Sequence, residues 1–178
     1  MRLFVGTFLE SEQSANLIKM REALKPHLSG GRFVDCQNFH FTWLFLGEVA
    51  ESEIDGIKKD LQQIALYNSC FSTSFCGMES FSGKTTVAML RNTKPFAMLS
   101  SQVLDNLGHL AAVPPSKFRP HVTLIRKADY SLPFAEAKKS VMIFNRPFDV
   151  KNISLIESSL IKGVLKYIPH ATFNLKEE

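Results

Sequence analysis

The sequence has one Trp, three Cys and no block of lysine or arginine, and each scarcity closes off a class of protein. Cys36, Cys70 and Cys76 are odd in number and form no C-x-x-C pair, which argues against a disulfide scaffold or a cysteine zinc site. They are expected as small core residues in a reducing compartment, the cytoplasm. No apolar run approaches the ~18 residues of a membrane span, so no membrane partner is expected. The opening stretch from Met1 to Leu9 is basic and then apolar. It meets Glu10 without a small-residue cleavage site, which predicts a buried first strand rather than a signal peptide. No stand-alone nucleic-acid tail is present, and no linker or low-complexity stretch interrupts the chain. A single domain over residues 1–178 is expected, and a monomer is the default because no segment reads as an interface.

The composition itself is ordinary for a globular protein, 45% hydrophobic and 21% charged, with fifteen Phe to supply core bulk. Twenty-one basic against seventeen acidic residues give a net charge of +4 and a pI near 9.0, which permits a phosphate-bearing partner without demanding one. Residues 2–8 and 39–46 read as strands. Helices are expected from Ser11, as N-cap, to near Pro26, from about Ser52, and from Lys94 to Leu110. Gly30-Gly31 is expected to break the chain before a short strand at Phe33. Two strands should meet at Ser82-Gly83-Lys84, and Pro114-Pro115 should end the third helix. A strand is expected over 117–126, and two or three more over 147–175, broken by Gly163 and Pro169. Strands outnumber helices without alternating regularly with them, which makes the class α+β with largely antiparallel sheets.

One internal echo carries chemistry. His40-Phe41-Thr42 and His121-Val122-Thr123 each put a histidine and a threonine at i and i+2, on one face of a strand. The intervening residues are apolar and face a core. Five His and eight Thr predict only ~0.2 such triplets by chance, yet three occur. The third, His170-Ala171-Thr172, comes after Pro169 in a terminal strand and is read as a decoy. Facing each other, the first two pairs would suit in-line attack at phosphorus. One neutral imidazole would take a proton from water, the other would protonate the leaving oxygen, and the hydroxyls would hold the phosphate. No HExxH and no carboxylate beside either histidine is found, so neither a metal nor a cofactor is expected.

The segment from Asn38 to Val49, containing His40-Phe41-Thr42-Trp43-Leu44-Phe45-Leu46-Gly47, is similar to the first signature of the RNA 2′,3′-cyclic phosphodiesterase family. That family is also called the 2′–5′ RNA ligase family, within the 2H phosphoesterase superfamily. The segment from Phe118 to Arg126 resembles its second signature, and Arg2-Leu3-Phe4-Val5 its first strand. The resemblance implies a bilobal, pseudo-symmetric fold in which two antiparallel sheets line a central cleft and helices pack outside. It also implies metal-independent hydrolysis of RNA 2′,3′-cyclic phosphate ends to 2′-phosphates, with reversible 2′–5′ ligation by the same site. His40 and His121 take the catalytic places, and Thr42, Thr123 and Arg126 the phosphate-binding ones.

Arg126 has the wrong parity to join His121 in a regular strand, so a strand end or a bend is required. Trp43 and the segment Thr7-Phe8-Leu9-Glu10 depart from the family pattern, the first in the core and the second where it bears on substrate preference. Two other readings stay open: a 2H enzyme for small cyclic nucleotides or 2′–5′ oligoadenylates, and a non-catalytic module that binds RNA ends.

Overall fold

The computed structural model describes residues 1–113 and 117–177, so the expected Pro114-Pro115 stop lies outside the described residues. Strand β1 (Arg2–Phe8) leads into helix α1 (Ser11–Leu24), strand β2 (Leu28–Phe33) and strand β3 (His40–Glu48). Next come helix α2 (Ile54–Tyr67), strands β4 (Phe71–Thr73), β5 (Phe75–Phe81) and β6 (Thr85–Leu90), and helix α3 (Lys94–Leu107). Strand β7 (His121–Tyr130), the short helix α4 (Phe134–Ala137) and strands β8 (Phe148–Val150), β9 (Asn152–Ile161) and β10 (Val164–Asn174) complete the order.

The principal sheet runs β10-β9-β1-β3-β7-β6-β5, with β2 added beside β7 and every pairing antiparallel. Its two halves meet at one paired position, Phe41 with Val122. Strand β3 therefore closes one lobe and β7 the other, and the two diverge into a cleft on either side of that contact. Each lobe borrows strands from the far end of the chain: β9 and β10 complete the first, β2 the second. The α+β, bilobal, pseudo-symmetric architecture is as expected.

Helices α1, α2 and α3 cover the face away from the cleft, α2 and α3 with clear apolar stripes. Ile54, Ile57, Leu61 and Ile64 recur at helical spacing in α2 and are all buried. Each such side chain contributes about 1.5–3 kcal/mol on full burial. Helix α3 sends Phe96 into an aromatic cluster beneath β3, with ring centroids 5.2 Å from Phe41 and 4.8 Å from Trp43.

The differences from expectation are local. Helix α1 begins at Ser11 as expected, but the N-cap is Glu10 and its side chain makes no capping bond. Gly30 and Gly31 lie inside β2 rather than before a strand. Gly31 adopts φ +140°, and a Cβ there would meet Ile125 at 3.1 Å, so only glycine lets β2 lie this close to β7. Gly47 has φ +76°, and a Cβ would lie 2.7 Å from that of Ala112, which seals the end of the cleft wall. Pro169 does not break β10. It sits on an edge strand beside a bulge at His170, where a missing N–H is tolerated. Cys36 and Cys76 are exposed and Cys70 is half-buried, so none is the core residue expected. No helix among the described residues is long and apolar enough to cross a membrane.

Candidate active site

Both histidine strands depart from regular pleating in the same way. In β3, Val5 pairs with Leu44 but Gly6 pairs with Thr42, leaving Trp43 as an extra residue. In β7, Ile125 pairs with Thr86 but Thr123 pairs with Val87, leaving Leu124 as the extra residue. Each bulge produces two consecutive buried residues, Trp43-Leu44 and Leu124-Ile125, and reverses the parity of the residues after it. Arg126 thereby joins His121 and Thr123 on the cleft face, which is the bend that a regular strand lacks. The same device brings Phe45 onto the cleft face with His40 and Thr42. His-x-Thr-x-x-Phe and His-x-Thr-x-x-Arg are thus equivalent frames in the two lobes.

A cleft of about 480 Å³ collects all five expected residues, His40, Thr42, His121, Thr123 and Arg126. It lies within the usual size range for small-ligand sites. A larger groove of about 920 Å³ lies elsewhere, lined by Tyr67, Met98 and Lys151 among others, and holds no histidine or arginine. Size alone therefore points away from the chemistry.

The two imidazoles are held alike. His40 Nδ1 lies 2.7 Å from the carbonyl of Asn38, and His121 Nδ1 lies 2.6 Å from that of Arg119. A carbonyl only accepts, so each Nδ1 donates, and each Nε2 is left to the cleft. That tautomer gives every ring one lone pair when neutral and one further N–H when charged. Burial lowers the pKa of His40 to about 4, with Arg126 and His121 adding to the effect against the opposing Asn38 hydrogen bond. Burial likewise lowers His121, helped by Arg119 and Arg126. These shifts favour two neutral imidazoles at pH 7. An anion in the cleft would offset the arginine field and raise both.

Aromatic rings hold the imidazoles laterally. His40 lies 4.9 Å from Phe4 and 4.8 Å from Tyr167 between ring centroids, and His121 lies 4.8 Å from Phe81. Arg119 also packs on the Phe81 ring and pairs with Glu79. Phe45 stands 56% exposed on the cleft wall, a large apolar ring left open to a ligand. Phe45, Tyr167 and Arg32 are among the cleft residues that reading the sequence does not single out. For Phe45 a signal exists, since it stands at the offset from His40 that Arg126 has from His121. Tyr167 arrives from β10, and no local pattern announces it.

The first departure from the family pattern, Trp43, is bonded to Thr7 of the second, while Phe8 of that segment lies beside His40 at 6.2 Å between ring centroids. Trp43 Nε1 donates to Thr7 Oγ1 at 3.0 Å, and Thr7 Oγ1 donates to the Asn152 carbonyl at 2.7 Å. Thr7 is buried and supplies the acceptor that a buried indole requires. Its place is in the core beneath the sheet rather than in the cleft. The third His-x-Thr triplet is outside the cleft: His170 Nε2 lies 2.8 Å from Glu157 Oε2, and Thr172 hydrogen-bonds Ser154.

Two lobes meeting at a cleft that both His-x-Thr strands line define the class of two-histidine phosphoesterases. Within that class the chain belongs to the 2′-5′ RNA ligase superfamily, whose model matches residues 16–160. It is 28% identical over 134 residues to an RNA 2′,3′-cyclic phosphodiesterase of Thermotoga maritima, covering 73% of this chain and 72% of the relative. It is also 28% identical to an RNA 2′,3′-cyclic phosphodiesterase of Aquifex aeolicus over 172 residues, covering 90% and 89%. Among solved structures, TT0787 of Thermus thermophilus superposes with a TM-score of 0.86 at 24% identity over 100% of both chains. Apo LigT of E. coli gives 0.78 at 23% identity over 98% of this chain and 96% of its own. These two likenesses concern the fold.

Proposed function

We propose that this chain hydrolyses 2′,3′-cyclic phosphate ends of RNA to 2′-phosphates by general acid–base catalysis between His40 and His121. The observation that carries the reading is the pair of imidazoles anchored through Nδ1 next to their own strands, with both Nε2 atoms left to one cleft of about 480 Å³. The curated relatives are named for this activity, and LigT of E. coli has been solved in complex with phosphate and with 3′-AMP.

In the proposed reaction one neutral histidine takes a proton from water as its oxygen bonds to phosphorus. The P–O3′ bond breaks, and the other histidine, protonated, delivers its proton to O3′. Thr42, Thr123 and Arg126 hold the non-bridging oxygens, on which negative charge grows in the transition state. Burial biases both imidazoles to neutrality, so the acid gains its proton as the substrate anion enters. Phe45 offers its open face to the terminal base. With the 5′-hydroxyl of a second RNA in place of water, the same exchange at phosphorus would form a 2′–5′ bond, which is the ligation reading.

The test is incubation with an oligoribonucleotide ending in a 2′,3′-cyclic phosphate, in EDTA, with the product terminus identified. A 2′-phosphate is expected. A 3′-phosphate, or no turnover, would overturn the assignment.

A further inference from the structure

The cleft holds more positive charge than its proposed reaction uses. Three arginines and two histidines line it, and no aspartate or glutamate does so among the described residues. A cyclic phosphate end carries one negative charge, for which Arg126 suffices. Arg32 is directly opposite Arg126 in the β2–β7 register. Cross-strand partners of this kind project to one face with Cβ atoms about 5 Å apart, and like charges there destabilise the pair. Among the described residues neither arginine makes an ion pair, and Arg32 is exposed to the cleft. Arg2, the third arginine, has Glu48 as its register partner in β3; Arg32 has only another cation. A like-charge pair kept on a cleft wall without a carboxylate is explained by an anionic ligand that both forks share or divide.

The two guanidiniums are not equivalent in position. Arg126 is among the charges that act on both imidazoles and shares β7 with His121, whereas Arg32 stands beside Arg126 on the neighbouring strand β2, which carries neither histidine. It is carried by an edge strand whose outer face is open, along which a chain leaving the cleft can run. A single-stranded RNA end presents its next negative group at the adjoining internucleotide linkage.

We propose that Arg32 is a second phosphate subsite, engaging the phosphodiester one nucleotide inward from the reacting end, so that the cleft favours oligonucleotides over mononucleotides. This inference rests on the cyclic phosphodiesterase reading above. It adds the substrate's second phosphate as a requirement for full efficiency.

The experiment compares kcat/KM for a 2′,3′-cyclic mononucleotide with that for a dinucleotide carrying the same cyclic end, using the wild type, Arg32→Gln and Arg32→Lys. The wild type is expected to favour the dinucleotide about tenfold, the worth of one charge-assisted contact, with the preference shrinking as salt rises. Arg32→Gln should bring the ratio to near one, and Arg32→Lys should retain part of it. A partly unfolded variant lowers both rates together and leaves the ratio intact, so the ratio separates binding from folding. A wild-type ratio near one, or a ratio unchanged in Arg32→Gln, would overturn the subsite. Absence of turnover on both substrates by the wild type would instead overturn the reading on which it rests.

Discussion

The two lobes present the same His-x-Thr frame with opposite surroundings. Each has a histidine tied through Nδ1 to the carbonyl two residues earlier, a threonine at i+2, a one-residue bulge and a cleft-facing residue at i+5. In the first lobe that last residue is the open ring of Phe45, and His40 sits among Phe4, Phe8 and Tyr167. In the second it is Arg126, with Arg32 beside it and the Arg119–Glu79 pair behind His121. Near-symmetry supplies two imidazoles held alike, as the proposed acid–base exchange requires, whereas broken symmetry at i+5 supplies a direction. A nucleotide is expected to lie with its apolar base toward the first lobe and its phosphate toward the second.

Removing either imidazole should have the largest effect. His40→Ala and His121→Ala are each expected to slow turnover by about 10²–10⁴, the reach of one general acid or base, and roughly alike if the lobes share the proton work. A rate assay on folded variants checks this, and a loss confined to one lobe would break the symmetry. Arg126→Ala should cost about 10²–10³ in kcat, as lost transition-state contacts do. Thr42→Ala and Thr123→Ala should cost somewhat less, with losses of roughly 10- to 1000-fold. Phe45→Ala should cost only about tenfold, and mainly in KM, because stacking is worth ~1–3 kcal/mol per base. Equal losses for Arg126→Ala and Phe45→Ala, or the reverse order, would contradict the division between an apolar and a charged lobe.

The smallest effects are on stability. A folded pKa of about 4 for His40, below the usual 6.5, means that the folded state resists a proton the unfolded chain accepts. The stability so contributed is full above about pH 6.5 and is lost as pH falls toward 4, by at most about 3 kcal/mol. On going from pH 7.5 to 4.5, urea unfolding should therefore show the wild type losing ~2 kcal/mol more stability than His40→Gln. Inorganic phosphate should shrink that difference by raising the imidazole pKa. A constant difference would show that burial does not depress His40. Trp43→Phe should cost about 1–2 kcal/mol through its lost bond to Thr7 and leave kcat within a few-fold, since both residues lie beneath the sheet.

The two His-x-Thr faces are legible in the sequence because side chains alternate in a strand, and parity alone separates Thr42 from Trp43. The bulges are not legible: Trp43 and Leu124 are ordinary strand formers, and nothing local says that either is an inserted residue. Hence the parity of Arg126 is a difficulty in the sequence that only the pairing of β6 with β7 resolves. Phe45 is hidden for the same reason. Arg32 escapes notice because Gly30-Gly31 reads as a break, although these glycines let β2 press against β7. Tyr167 and the Thr7–Trp43 bond join distant parts of the chain, which no window of sequence contains.

That the two imidazoles form one catalytic unit is tested most directly by hydrolysis of an RNA 2′,3′-cyclic phosphate by His40→Ala, His121→Ala and the double variant, each shown to be folded. Groups that act as a unit are non-additive, so the double variant should be within a few-fold of the slower single variant. Losses that multiply, or a folded single variant with near wild-type turnover, would contradict it.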